Sequence, residues 1–277
     1  MPADKNLLSY ESLKRIADSI TPIRGWDFSR MRTRRDPVPW EYHDVVRAYL
    51  TPTSRVLDVG TGGGERFLRL APYFGSGVGV DPDPDMLRAA HENAAAAVGR
   101  GLPRDRVTFE SMPEDTLPFA DDSFDVVLLR HAPLPLDEVL RVLRVGGVFI
   151  TQGVGRRNMR TICGAFGVTA YGEPLPGPPK GAPGPHDATP VGESFETAGR
   201  RASVVARCEY DVRYFVLDVE SLVFWLKALN LPAGGFDIDR HWRAVAQIVR
   251  DHATPEGQCS TTHGQPPWPV QPHGAVA

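Results

Sequence analysis

The sequence contains few cysteines and no long apolar run. Its 277 residues include 3 cysteines, Cys163, Cys208 and Cys259, and no two of them have Cys-x-x-Cys spacing. We therefore predict neither a disulfide framework nor a metal site. No apolar run reaches the roughly 18 residues of a membrane-spanning helix. The polar start of the chain also lacks the apolar segment of a signal peptide, so we expect a cytoplasmic protein with no membrane partner.

The chain also lacks a large excess of charge of either sign. Its formal net charge is −3, so no overall basic field favours nucleic acid as a partner. Arginines cluster at residues 24–35 and 156–160, and we interpret them as solvated surface, with phosphate binding as the alternative. The hydrophobic content of 42% is typical of a globular protein. Nothing in the sequence predicts the oligomeric state.

Residues 55–67, Arg-Val-Leu-Asp-Val-Gly-Thr-Gly-Gly-Gly-Glu-Arg-Phe, have the pattern of a strand, a tight turn and the start of a helix. This is the usual geometry for holding a nucleotide-like ligand. Glycine tolerates the positive φ angles of such turns and lets a ligand lie against the backbone. A single glycine-rich turn is weak evidence of function, so the surrounding pattern decides its meaning.

Strands and helices alternate after this point. We predict strands at 55–59, 77–80, 106–110, 124–129 and 147–151, and helices at 64–73, 84–98 and 135–144. The strands are almost continuously apolar, which indicates a parallel sheet covered on both faces. The predicted fold is therefore a doubly wound, Rossmann-like α/β domain at residues 51–170.

The flanking segments are predicted to extend this domain. Residues 1–50 form an aromatic-rich cap with helices at 6–20 and 44–50, and a helix at 158–166 ends the core. Residues 171–193 are a loop rich in proline and glycine. Residues 194–255 continue the sheet and add a helical substrate cap, with helices at 194–201, 219–229 and 237–251 and a strand at 203–216. Residues 256–277 have no periodicity and are predicted to be disordered.

Ligands of open α/β sheets bind at the carboxyl ends of the strands. Asp81 lies there, 21 positions after Gly60, where a carboxylate can accept both ribose hydroxyls; the alternative is an Asp that starts the turn at Pro82. A dinucleotide fingerprint requires a third glycine where this chain has Glu65, and that negative charge would repel a pyrophosphate. NAD is therefore disfavoured.

The pattern Asp58-x-Gly60-x-Gly62-x-Gly64 resembles motif I of class I methyltransferases that depend on S-adenosylmethionine (SAM). Residues 117–127 resemble the segment between that family's third and fourth strands. Residues 138–149 resemble its fourth helix and glycine turn, with Arg144-Val145 in place of the usual Lys-Pro. The resemblance extends from residue 40 to about 167. A bacterial subgroup of rRNA-guanine-like enzymes and indole C-methylating enzymes are also similar.

This resemblance implies SAM as the cofactor and gives roles to residues at the sheet edge. The turn would hold the methionine part of SAM, Asp58 would orient the turn or bind the amino group, and Asp81 would hold the ribose. Ser111 and Met112 would frame the adenine. The cofactor-binding residues implied in this way are Asp58, Gly60, Thr61, Gly62, Gly64, Asp81, Pro82, Ser111, Met112 and Arg130.

The catalytic and substrate residues are less defined by the resemblance. His131 is the candidate base at the end of the fourth core strand, because an unperturbed imidazole titrates near neutral pH; a structural role beside the cofactor is the alternative. Tyr42 and His43 are second-rank candidates, and Arg130 could also bind a substrate oxygen. The candidate substrate residues are Tyr10, Trp26, Phe28 and Trp40.

The predicted function is SAM-dependent methylation of a small aromatic or heterocyclic metabolite, with an indole-type acceptor as one option, in secondary metabolism. One alternative is methylation of rRNA or tRNA bases, and another is a non-catalytic SAM-binding module. The sequence does not identify the acceptor atom as carbon, nitrogen or oxygen.

Overall fold

We describe the chain from a computed structural model. It covers residues 8–23, 25–113, 115–133, 136–153, 159–168, 194–197, 199–208, 210–232, 235–252, 259–265 and 267–272. The predicted loop at 171–193 lies outside these residues, as do Arg156 and Arg157 of the second arginine cluster. Within the ranges given, no helix combines the length and the apolar character needed to cross a membrane.

The described residues form eleven strands and eight α-helices. The strands are β1 (Thr33–Arg35), β2 (Arg55–Val59), β3 (Ser76–Asp81), β4 (Val107–Ser111), β5 (Phe124–Arg130), β6 (Leu143–Gln152), β7 (Ser194–Thr197), β8 (Arg200–Val204), β9 (Tyr210–Val216), β10 (Cys259–Gln265) and β11 (Pro267–Pro272). The helices are α1 (Tyr10–Ser19), α2 (Tyr42–Arg47), α3 (Glu65–Leu70), α4 (Pro84–Gly99), α5 (Leu136–Val142), α6 (Arg160–Gly164), α7 (Val219–Ala228) and α8 (Ile238–His252).

The central sheet has the strand order β4-β3-β2-β5-β6-β11-β8-β7. Its first five strands are parallel, with Val59 of β2 opposite Val80 of β3 on one side and Leu129 of β5 on the other. Strand order reverses at β2, so the carboxyl ends of β2, β3 and β5 meet at one edge, where such sheets bind ligands. This confirms the predicted doubly wound α/β fold, and all five predicted core strands are present.

Apolar side chains cover both faces of the parallel sheet. Val56 and Val126 belong to a buried cluster with α2, α3 and α4, whereas Leu57 and Val127 pack on the opposite face with α5. This alternation explains the continuous apolar strands, because each strand must fill two cores.

Capping residues set the starts of several helices. Asp83 accepts hydrogen bonds from the amides of Asp85 and Met86 at the start of α4, and Pro84 occupies its first turn. Asp218 caps α7 by accepting from the amide of Ser221 at 2.7 Å. These side chains satisfy amides that have no partner within the helix.

A separate apolar cluster joins the two ends of the chain. α1, α6, α7 and α8 bury their apolar faces against one another, with Leu13 and Leu226 fully buried. A small antiparallel sheet of order β1-β9-β10 completes this cap, with Thr33 opposite Val216. The predicted N-terminal helical cap and C-terminal α/β extension are therefore parts of one packed unit.

The predicted helix at 194–201 is wrong. Two antiparallel strands, β7 and β8, lie there instead and are joined through Gly199, whose φ is +73°. Ala202 and Val204 of β8 are buried whereas Arg201 is exposed, an alternation typical of a strand. The predicted strand at 203–216 is interrupted, because β8 ends at Val204 and β9 belongs to the other sheet.

The predicted disorder of the tail is wrong for residues 259–265 and 267–272. β10 pairs antiparallel with β9, and β11 lies between β6 and β8. These strands are added to existing sheets, so their backbone groups find partners there without an apolar period of their own. Periodicity in the sequence therefore did not reveal them.

Candidate active site

The turn after β2 adopts a backbone that requires glycine. Gly60, Gly62 and Gly64 have φ angles of +65°, +58° and +72°, in the region that residues with a side chain rarely adopt. A Cβ at Gly60 would clash with the side chain of Ala132, which follows β5. The turn therefore depends on glycine both for its backbone conformation and for the close approach of its neighbours.

Hydrogen bonds fix this turn to both neighbouring strands. The Thr61 amide donates to the Val80 carbonyl at 3.0 Å, and the Thr61 hydroxyl donates to Asp58 Oδ2 at 2.7 Å. The Gly62 amide donates to Asp81 Oδ2 at 2.8 Å. The contact between Asp58 and Thr61 supports the predicted role of Asp58 in orienting the turn. Asp81 also holds the turn, through the Gly62 amide, a role that the sequence did not reveal.

Asp58 is a carboxyl group in an unusual environment. Burial raises the pKa of Asp58 to about 7, and the charge of Asp81 acts in the same direction, whereas the Thr61 hydroxyl and Arg130 oppose the shift. A positively charged group placed beside Asp58 would favour its ionised form. The residue is therefore suited to receive an ammonium group.

The predicted ribose and adenine residues lie along the ends of β3 and β4. Asp81 is buried, and its Oδ1 accepts from the Asp83 amide at 3.0 Å. Each carboxylate oxygen can accept more than one hydrogen bond, so Asp81 keeps acceptor capacity for hydroxyl groups. Ser111 lies opposite Asp81 in register, Met112 is buried beneath this edge, and Pro82 is exposed beside it.

The end of β5 contributes Arg130 and His131. Arg130 Nε donates to Gln152 Oε1 at 2.6 Å, and its guanidinium lies 5.8 Å from the centre of the Tyr42 ring. Burial lowers the pKa of Arg130 to about 10, and the charge of Arg66 lowers it further. His131 is exposed, has a φ of +59°, and donates its amide to the Gln152 carbonyl at 3.0 Å.

Tyr42 and His43 begin α2 beside this arginine. The Tyr42 side chain is buried, and its hydroxyl has no hydrogen-bond partner among the described residues; the same holds for Nε2 of His43. Burial raises the pKa of Tyr42 well above its ordinary value. Burial lowers the pKa of His43 to about 4, and the charges of Arg69, Arg66 and Arg130 act in the same direction.

Aromatic residues from the N-terminal segment cover the glycine turn. The indole of Trp26 lies so close to Gly62 that a Cβ at this glycine would clash with it. Trp26 stacks on Phe28 with 5.8 Å between ring centres, and Phe28 meets Phe224 of α7 at 6.1 Å. The two predicted substrate residues are thus brought together over the turn and anchored in the cap.

Trp40 and Tyr10 lie in different places. The Trp40 ring packs edge-on against Tyr210 of β9, with 4.6 Å between ring centres. Tyr10 instead donates its hydroxyl to Asp239 at 2.8 Å and packs against Trp242 of α8. Tyr10 therefore contacts α8 at the surface of the cap, and the structure does not bring it to the turn.

Several neighbours of the site were not singled out from the sequence. They are Arg35, Arg66, Gln152, Tyr210 and Tyr214. The spacing of Tyr210 and Tyr214 puts both on one face of a strand, a signal that was present but not read. The Arg35 guanidinium lies 6.0 Å from the centre of the Tyr214 ring, a contact that depends on the pairing of β1 with β9.

Comparisons with known proteins match the part of the chain that contains the glycine turn. Residues 56–147 match the family model described as a methyltransferase domain. The chain is 35% identical over 103 residues to the uncharacterized methyltransferase YcgJ of Bacillus subtilis, covering 35% of this chain and 39% of that protein. It is 36% identical over 159 residues to the ubiquinone/menaquinone biosynthesis C-methyltransferase UbiE of Geobacter sulfurreducens, covering 52% of this chain and 60% of that protein.

The alignments therefore span less than two thirds of either relative. A crystal structure of a functionally unknown protein from Deinococcus radiodurans aligns with a TM-score of 0.52 and 18% identity, over 94% of this chain and 99% of that chain. This likeness concerns the fold. The match with the methyltransferase domain model covers residues 56–147, the segment that contains the glycine turn, Asp81 and β5.

Proposed function

We propose that the protein is a SAM-dependent methyltransferase that acts on a small aromatic or heterocyclic metabolite. One observation carries the proposal: aromatic side chains lie around Arg130, at the sheet edge that holds the glycine turn. Tyr42 packs against the Arg130 guanidinium, Tyr210 and Tyr214 lie near the same arginine, and Trp40 packs against Tyr210. We call these four side chains the aromatic chamber. Small-molecule sites are commonly concave, lined by aromatic side chains and fitted with a few polar groups.

The residues present fit the cofactor. The glycines add no side chains of their own to the turn, so the methionine part can approach its backbone beside the Trp26 indole. Asp58 is placed to accept the amino group, Asp81 the ribose hydroxyls, and Met112 packs at the adenine edge, where a thioether suits an aromatic ring. When bound, SAM supplies an electrophilic methyl group.

The remaining task of the chain is to align the acceptor and exclude water. The acceptor atom supplies the electron pair of the new bond, and the pair of the breaking carbon–sulfur bond stays on sulfur. A base is needed only where the acceptor atom carries a proton. His131 remains our candidate, because the low pKa of His43 makes it a weak base and Tyr42 holds its proton firmly.

Two observations favour a small molecule over RNA. Arginines of the first cluster have carboxylate partners: Arg30 with Glu220, Arg32 with Asp218, Arg34 with Asp36, and Arg35 with Glu41. Arginines paired in this way are less available for phosphates. The relative UbiE is named as a C-methyltransferase of ubiquinone and menaquinone biosynthesis, which supports a small acceptor.

Transfer of radiolabelled methyl groups from SAM tests the proposal directly. We expect label in one or more members of a panel of indoles, phenols and hydroxyquinols, and none in total RNA. The Asp81→Asn variant serves as the control for cofactor-dependent labelling. Label in RNA with affinity that falls steeply with salt would favour the RNA alternative. Binding of SAM without transfer to either class would favour a non-catalytic module.

A further inference from the structure

The guanidinium groups of Arg66 and Arg130 lie close enough to affect each other's charge, and Asp58 acts on Arg130 from beyond ion-pair distance. No carboxylate of the described residues lies within ion-pair distance of Arg66 or Arg130, although fourteen other such pairs occur. Arg130 is partly buried, whereas Arg66, in the first turn of α3, is exposed at the rim. A guanidinium removed from water is costly unless an anion or polar partner compensates it.

Two buried polar atoms of α2 lack a hydrogen-bond partner among the described residues. The buried Tyr42 hydroxyl has no hydrogen-bond partner in the described part of the chain, and neither has Nε2 of His43. Tyr42 is 7% exposed and lies under the Arg130 guanidinium. Buried polar groups are normally satisfied, so this hydroxyl indicates a ligand group that reaches it. Burial is the main cause of the low pKa of His43, and the charges of Arg69, Arg66 and Arg130 lower it further, so these guanidinium groups lie near the imidazole.

The cofactor alone does not balance these charges. The ammonium group of SAM matches Asp58, and its carboxylate can take one guanidinium. The sulfonium and the second guanidinium remain uncompensated. A negatively charged oxygen on the methyl acceptor would therefore find a guanidinium group that neither the cofactor nor a carboxylate of the described residues occupies.

We propose that Arg66, Arg130 and the Tyr42 hydroxyl form an oxyanion pocket that binds the methyl acceptor. The acceptor is then an aromatic or heterocyclic molecule that carries a carboxylate or phenolate oxygen. This inference rests on the proposed function, and it adds the charge of the acceptor. Trp40, Tyr210 and Tyr214 hold the ring while the two guanidinium groups hold the oxygen, since guanidinium geometry matches carboxylate.

Titration calorimetry with a matched pair of probes tests this pocket. Full-length protein saturated with S-adenosylhomocysteine is titrated with indole-3-carboxylate and with the neutral isostere indole-3-carboxamide. We expect the carboxylate to bind about tenfold or more tightly than the amide, the effect of charge-assisted hydrogen bonds. Arg130→Gln and Arg66→Gln should each reduce this preference. Arg250→Gln, an exposed position on α8, is the control and should retain it.

The outcomes separate this inference from the proposed function. If S-adenosylhomocysteine does not bind the wild-type protein, the proposed function fails. If it binds but the probes bind equally, or neither binds, the oxyanion pocket is wrong. The oxyanion pocket is also wrong if the arginine variants keep the preference for the carboxylate probe and lose affinity for S-adenosylhomocysteine but not for 5′-methylthioadenosine. The guanidinium groups would then bind the carboxylate of the cofactor, which 5′-methylthioadenosine lacks. Arg66→Gln, at an exposed position, guards against misfolding of Arg130→Gln.

Discussion

Asp58 is the side chain whose ionisation bears most directly on cofactor binding. Its pKa is about 7 in the free protein, and an ammonium group binds only the ionised form. We expect the affinity for S-adenosylhomocysteine to rise about tenfold between pH 6 and pH 8, measured by calorimetry. Asp58→Asn should bind weakly and without this slope. A flat profile in the wild-type protein would contradict the role of Asp58.

The raised pKa of Asp58 makes the stability of the free protein depend on pH in the opposite direction to cofactor affinity. Because the folded pKa of Asp58 is raised above its ordinary value, protonation of Asp58 favours folding. That contribution is present at low pH and is lost as the pH rises through about 7. In the complex the ammonium group of the cofactor stabilises the ionised carboxylate of Asp58, so its ionisation no longer lowers the stability of the protein.

His131 is the candidate base, so its substitution should affect turnover and not cofactor affinity. We expect His131→Ala to lower turnover while leaving the affinity for S-adenosylhomocysteine near the wild-type value, because the side chain is exposed at the end of β5. General base catalysis typically contributes about 10²–10⁴-fold, and the loss should be largest where the wild-type base is neutral. Rates and affinities measured across pH check this. Equal turnover of both proteins at every pH would exclude the base.

Sequence reasoning reached the residues that act through the local backbone. Asp58, Asp81 and the three glycines are identified by spacing, since a strand, a turn and a helix start are continuous in the chain. Local spacing could not show that Arg66 and Tyr214 lie at the same site. Tyr214 reaches the site because β9 pairs with β1 across most of the sequence, and no local pattern encodes such pairing.

The glycine turn and the segment that covers it form one structural element. Gly62 combines a φ of +58° with close contact to the Trp26 indole. We expect Gly62→Ala to strain the turn by about 1–2 kcal/mol and to weaken S-adenosylhomocysteine binding. Adding Trp26→Ala should restore part of the affinity by removing the clash, and calorimetry of the single and double variants measures both effects.

The control for this series is Gly99→Ala at the end of α4. No atom lies within 4 Å of a Cβ placed there, and its φ is not in the left-handed region. The substitution should leave cofactor affinity unchanged and should not lower stability, because alanine is a better helix former than glycine. Gly62→Ala with wild-type affinity would show that the cofactor does not depend on this turn.

The elements that sequence reasoning missed share one physical feature. β7, β8, β10 and β11 are short strands added antiparallel to sheets that already exist. Their stability comes from partner strands rather than from their own periodicity, so composition and pattern predicted a helix over 194–201 and disorder for β10 and β11. The parallel strands were predictable because each is buried on both faces and is therefore apolar throughout.

At the scale of the whole molecule, the candidate active site lies where two cores meet. The clusters on the two faces of the parallel sheet hold the glycine turn, and the cluster of α1, α6, α7 and α8 anchors the aromatic segment through Phe28 and Phe224. A ligand bound between them contacts both units. Cofactor binding should therefore stabilise the protein as a whole.

Thermal unfolding measures this coupling. At a concentration of S-adenosylhomocysteine about 100 times its Kd, binding contributes about 2.7 kcal/mol, which for a chain of this size raises Tm by roughly 5–10 °C. Asp81→Asn removes the charged acceptor of the ribose but keeps an oxygen for the Gly62 amide, so the variant should fold and show a much smaller shift. Glu11→Gln, on α1 and away from the turn, is the control and should shift like the wild type. An unaltered shift in Asp81→Asn would show that the ribose is held elsewhere, while the absence of a shift in the wild type would contradict cofactor binding itself.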